Sequence, residues 1–192
     1  PDGRVKRFAG GNLPKRISTK PIVPDINDVL SMGLMDPKKQ DVIIITAGTN
    51  KQNTAKALRL DMTKLNKHGI AHGGVRGINL TEGDTIAGAF VASRDDMILT
   101  VSGDSWKVIR VDEIPVKGAG AQGVGIHSLK KGEDGVAIAV CSPNGFVING
   151  KPAKPTSRPA TPHRQQLSEP YREMTPEELS ESGINAKAGA EE

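Results

Sequence analysis

The chain has 192 residues, 36% hydrophobic and 25% charged, with a net charge of +4. Its aromatics are only Phe8, Phe90, Phe146, Trp106 and Tyr171, too few and too scattered for a base-stacking platform. Cys141 stands alone, which excludes an internal disulfide or a multi-cysteine zinc site, and no apolar run approaches the roughly 18 residues of a membrane span. Gly and Pro together fill 35 positions, so many short elements joined by turns are expected. The first residue is Pro and no signal-peptide pattern follows, so the chain reads as a piece of a longer protein.

Arg4-Val-Lys-Arg-Phe8 reads as the end of a basic strand. From Asp28 the chain repeats one pattern: an aspartate, an apolar strand, a polar turn and a second apolar strand. Asp28 to Met35 is followed by Asp41 to Gly48, Asp84 to Val91 by Asp96 to Gly103, and Asp134 to Cys141 by Phe146 to Gly150. The connecting segments repeat too. Lys56-Ala-Leu-Arg-Leu-Asp61 recurs 51 positions later as Lys107-Val-Ile-Arg-Val-Asp112. Each leads into a Gly-rich stretch (69–77 and 118–125) and then a further strand, Ile78 to Gly83 and Ile126 to Gly132. A repeat of about 50 residues with four short strands is the pattern of a propeller-like blade. An ordinary antiparallel sandwich would have to match all these features by coincidence. The chain then holds two whole units, 28 to about 80 and 84 to about 129, with half a unit on either side.

The run Asp96-Met-Ile-Leu-Thr-Val-Ser-Gly, Trp106-Lys-Val-Ile-Arg-Val-Asp-Glu-Ile and Gly120-Ala-Gln-Gly-Val124 resembles a blade from the C-terminal domain of the DNA gyrase A protein. The corresponding protein of topoisomerase IV has a related domain, and Gly74-Val-Arg-Gly-Ile-Asn-Leu-Thr-Glu-Gly-Asp84 resembles the same family's junction between blades. The resemblance implies an all-β fold, a β-pinwheel whose neighbouring blades exchange strands. It covers residues 1–150, with 151–192 expected as a disordered tail. It also implies an outer rim that binds, bends and wraps double-stranded DNA. The implied contacts are Arg4, Lys6, Arg7, Lys56, Arg59, Lys67, Arg76, Lys107, Arg110 and Lys117. The family's loops carry Arg between glycines where this chain has Ala71, His72, Ala119 and Ala121, so those loops should hold phosphate weakly. The basic, Gln-containing gyrase box is not found in this sequence.

The parent implied by the resemblance is an ATP-dependent type II topoisomerase. It combines the remainder of the gyrase A-type protein with an ATPase partner, the B-type protein, in a heterotetramer. It uses ATP and Mg2+ outside this chain, and works in the bacterial cytoplasm at the nucleoid. No cofactor, metal or membrane contact is expected here. The alternative is a propeller-like protein-interaction module with no DNA role.

No catalytic constellation is expected. Tyr171 has Arg172 beside it but lies in the Pro- and Glu-rich tail. Gly118-Ala-Gly-Ala-Gln-Gly123 matches a dinucleotide-loop string, yet a strand rather than a helix should follow it. His68 and His72 sit among glycines that disfavour the helix a ligand pair at that spacing needs. Asp95-Asp96 and Asp112-Glu113 read as turn caps. In the tail, Lys151 to Arg164 carries four basic and no acidic residues, a source of loose phosphate contact. Residues 168–192 carry a net of −5, leaving +9 elsewhere, so the acidic end is a candidate competitor for the basic rim. Thr175-Pro-Glu-Glu178 has the form of a capping box and predicts a short helix to about Ser182.

Overall fold

Apolar runs with no interleaved polar residue, such as Val42 to Ile45, suit strands covered on both faces, and that is how the repeats fold. The computed structural model describes residues 3–9, 11, 30–31, 33–69, 73–158 and 160–184. In the first unit, β2 (Gln40–Thr46) and β3 (Thr54–Leu60) form an antiparallel hairpin. In the second, β6 (Met97–Ser102) and β7 (Ser105–Arg110) do the same. In the third, β11 (Phe146–Ile148) and β12 (Lys151–Pro152) make a shorter one.

Each hairpin is completed by strands from further along the chain. β5 (Ile86–Ser93) pairs with β2, and β9 (Val124–Ser128) pairs with β3, so the second unit supplies both flanks of the first blade. β10 (Ile138–Ser142) repeats the role of β5 by pairing with β6. β1 (Arg4–Val5) pairs with β4 (Val75–Arg76) as β3 does with β9, the remnant of an earlier blade. β8 (Val116–Lys117) adds a short parallel contact to β3. This exchange is the β-pinwheel arrangement. No helix among the described residues is long and apolar enough to cross a membrane.

The two-residue period of a strand then explains the core. Ile43 and Ile45 pack with Ile98, Ile109 and Ile126, while Ile44 turns the other way onto Leu58, Leu60 and Met62. On β6, Ile98 faces the first blade, and Met97, Leu99 and Val101 face the third with Phe146 and Val147. The middle blade is therefore buried on both sides.

The expected strand at Asp28 to Met35 falls partly outside the described residues. Leu30, Ser31 and Gly33 to Met35 form no strand, and Leu34 is 93% exposed, with no hairpin of an earlier unit described beside it. Ile78 to Gly83 is likewise no full strand, since Ile78 makes one parallel bridge to Ala121.

The disordered tail is corrected through residue 184. β13 (Arg172–Glu173) pairs with β11 and takes the place in the third blade that β5 and β10 hold in the others. His163 exchanges both backbone hydrogen bonds with Trp106 at 2.8 and 3.0 Å, and Thr156 N donates to Val108 O at 2.8 Å. The segment thus covers β7 much as β9 covers β3. Ala153, Met174, Leu179 and Ile184 join the core around Trp106 and Phe146, and that burial offsets the entropy of ordering them. The helix appears as expected: α1 (Pro176–Ser182) has Thr175 as N-cap with the capping box to Glu178 complete. The acidic end at Glu191 and Glu192 lies outside the described residues.

His127 on β9 ties the first two blades together. It is fully buried, with Nδ1 2.9 Å from Thr100 Oγ1 and Nε2 3.0 Å from Ser105 Oγ. Ser105 donates its own proton to Ser102 O at 2.8 Å, so Nε2 carries the histidine proton and Nδ1 accepts from Thr100. Burial, with Arg164 and Lys107 nearby, holds the imidazole pKa down to about 4. The neutral ring is the native form, so the stability it provides is complete above the unfolded value near 6.5 and is lost as pH falls. Urea unfolding should show about 2 kcal/mol lost from this group between pH 7.5 and 5, approaching about 3 kcal/mol below pH 4. His127→Asn should flatten the profile between pH 6.5 and 5. An unchanged profile would show that His127 is not the titrating group.

Candidate nucleic-acid interface

The ten expected contacts divide by how the repeat buries them. A strand sends residues three apart to opposite faces, so the Lys and Arg of the repeated basic strand cannot both point outward. The blades are covered on both faces, so both members of the first pair and the lysine of the second become buried. Lys56 is 8% exposed, with Nζ 3.4 Å from Thr81 Oγ1. Arg59 is 4% exposed; its Nε donates to Asp41 Oδ2 at 2.7 Å and its Nη1 to the carbonyls of Val111 and Ile114 at 3.3 and 3.4 Å. Lys107 is 2% exposed and donates to Ser157 O at 3.1 Å. Burial lowers its pKa, partly opposed by the Glu113 charge.

A second group is partly buried and engaged within the protein. Arg110 bonds Asp95 at 2.6 Å and Asp112 at 3.2 Å, which gives those two acids a structural partner besides their turns. Arg7 donates to the carbonyls of Met62 and Leu65, holding the N-terminal segment against the turn after β3. Lys6 Nζ sits over the Phe8 ring, 5.8 Å from its centre.

Arg4, Lys67, Arg76 and Lys117 are exposed. Arg4 and Arg76 are direct partners across the β1–β4 ribbon, and Arg4 also donates to Gly74 O at 3.3 Å. Lys117 ends β8, alongside β3. The two side chains thus stand side by side on the ribbon, where one anionic strand can meet both. The Gly-rich loops divide as well. Gly118 and Gly120 face open space, whereas Gly123, at φ +80°, brings its Cα so close to β3 that a Cβ would meet Ala57 O at 2.6 Å. Gly123 is there for strand approach. In the other loop, Ala71 and His72 lie outside the described residues.

Tyr171 stacks edge-on against Phe146 at 6.1 Å, and burial pushes the Cys141 thiol up to about 12. Exposed cations outside the expected set include Lys151 and Lys154, at the start of the segment expected as a tail. Their signal is present in the sequence: Lys151-Pro-Ala-Lys154 repeats the spacing of Lys56 to Arg59 and of Lys107 to Arg110, basic residues three apart around an apolar pair.

Residues 72–93 and 107–142 match the family model for the DNA gyrase C-terminal domain, beta-propeller. The chain is 35% identical over 160 residues to the topoisomerase subunit TopoM of Mycolicibacterium smegmatis, covering 82% of this chain and 22% of that protein. It is 31% identical over 138 residues to the A subunit of DNA gyrase from Aeromonas salmonicida, covering 69% of this chain and 14% of that one. The chain thus spans less than a quarter of either relative's length. In fold it is similar to the crystal structure of the C-terminal domain of DNA topoisomerase IV, with a TM-score of 0.61 at 24% identity, over 76% of this chain and 45% of that one. The blade repeat, its strand exchange and the matched segments together make this chain a member of the DNA gyrase A C-terminal-domain family.

Proposed function

We propose that this domain binds duplex DNA without sequence preference and bends it against a rim of exposed cations, as one part of a type IIA topoisomerase. The observation that carries the reading is the opposed Arg4 and Arg76 pair, with Lys67 and Lys117 exposed on neighbouring segments. Each phosphate neutralised by such a group releases condensed counterions, and the free energy gained offsets the cost of bending. Lys56, Arg59 and Lys107 act in this reading as the framework beneath the rim. Their burial leaves the four exposed residues, with Arg110 at the margin, as the contacts. Strand cleavage, ATP hydrolysis and the ATPase partner belong to the rest of the complex, which this reading locates in the bacterial cytoplasm at the nucleoid.

The test is binding to a labelled duplex of about 40 base pairs across a salt series. Four rim phosphate contacts contribute about −3.6 to the log–log slope, so affinity should fall by at least about 150-fold between 50 and 200 mM salt. Replacing Arg4, Lys67, Arg76 and Lys117 by Gln should remove most of that slope while leaving the urea midpoint unchanged. No binding at low salt by the folded chain would sink the reading and favour the protein-interaction module.

A further inference from the structure

The third blade differs from the other two at its outer edge. In the first blade, β9 pairs with β3 beside Lys56 and β8 pairs with it beside Arg59, and both cations are buried; in the second, Thr156 and His163 bond to β7, and Lys107 is buried. In the third, the sheet order is β12-β11-β13, so among the described residues β12 is an uncovered edge. The basic pair with the repeated spacing, Lys151 and Lys154, is therefore exposed.

The pair stands beside a cleft of about 390 Å³. Its lining includes Ile148, Pro152, Ala153, Thr156 and the stacked rings of Trp106 and His163, whose centres lie 4.3 Å apart. Trp106 is 8% exposed, and its Nε1–H is buried with no hydrogen-bond partner. Of the nearby cations, Arg164 is paired with Glu133 at 2.9 Å, while Arg158 is exposed and its backbone N–H donates to Glu113 at 3.3 Å. Glu169 approaches the turn at Gly150. Lys151 and Lys154 both line the cleft and carry no ion pair among the described residues.

We propose that this cleft, built by the C-terminal segment, is a second DNA-backbone contact in which Lys151 and Lys154 hold phosphates and the apolar floor receives a sugar face. A DNA strand alternates anionic phosphate with apolar deoxyribose, and the cleft offers both kinds of partner, two cations and an apolar wall. The assignment rests on the DNA-binding reading above. It extends the contact surface from the β1–β4 ribbon to the last blade, which the rim expected from the repeat does not reach.

The chain's one tryptophan is in the cleft wall, so its emission reports on occupancy. The experiment titrates the full chain and the Lys151→Gln/Lys154→Gln variant with the 40-base-pair duplex, reading anisotropy against salt together with Trp106 fluorescence. Polyglutamate serves as a second anion. Expected is a Trp106 change on duplex binding that the variant loses, with the salt slope reduced by about 1.8 for two phosphates. Lys154→Gln alone, outside β12, should take half of that reduction, and urea midpoints check the fold of both variants. A wild-type chain that binds duplex while the variant keeps the slope and the emission change overturns the cleft and leaves the rim standing. A Trp106 response to polyglutamate and not to duplex overturns it in favour of an acidic protein partner. A folded wild-type chain that binds no duplex overturns both readings.

Discussion

A chain ending at residue 150 should fail to give a cooperative, soluble fold, although it retains the whole span over which the repeats were expected. That cut removes both strands paired with β11 and the Trp106–His163 bridge. It takes away Ala153, Met174, Leu179 and Ile184 from the core around Trp106, Val108 and Phe146. It also deletes Ser157, whose carbonyl accepts from the buried Lys107. Losing three large apolar side chains from a core costs about 2–5 kcal/mol each, against total stabilities of about 5–15 kcal/mol. Circular dichroism melts and sedimentation of the two lengths decide it. A truncated chain that unfolds cooperatively within a few degrees of the full chain would show that the C-terminal segment rests on the blades without completing them.

Breaking the Arg59–Asp41 pair should cost about 3–5 kcal/mol, the range for removing one partner of a buried ion pair. The two single substitutions should not be equal. Asp41 keeps 16% of its side chain exposed, against 5% for Arg59, so the carboxylate left by Arg59→Met can hydrate. Asp41→Ala instead leaves a buried guanidinium with only the Val111 and Ile114 carbonyls, at 3.3 and 3.4 Å, and should be the worse variant. Urea midpoints give the order directly. Losses below about 1 kcal/mol for both would make this an ordinary surface pair. The variants also test function, because an Arg59 that acts as framework should change DNA affinity only as far as it changes the folded fraction.

The repeat, most strand positions and the α1 helix were legible because each rests on local pattern: β-branched runs, aspartates at turns and the Thr175–Glu178 capping box. The burial of Lys56, Arg59 and Lys107 was not, since it depends on which distant segment covers each hairpin. Period alone gives a warning, because residues three apart on a strand face opposite ways. The tail is misleading for a similar reason. Its prolines and charges read as solvated chain, while Met174, Leu179 and Ile184 are too widely spaced to signal a core whose other half lies near residues 97–108. Composition reports what a segment prefers by itself, not what is waiting to receive it.

Strand lending also sets an order in time. The β2–β3 hairpin is complete at Leu60, but its outer neighbour ends at Ser128, 68 residues later. At about 5–20 residues per second on a ribosome, the hairpin edge stays open for roughly 3–14 s, far longer than a hairpin takes to form. During that wait Ile43 and Ile45 lack Ile126, the last member of the cluster that buries them. Arg59, on the stretch of β3 that β8 later covers, and Asp41 give the hairpin a paired, inward-set charge beside that edge, a device that discourages edge-to-edge association.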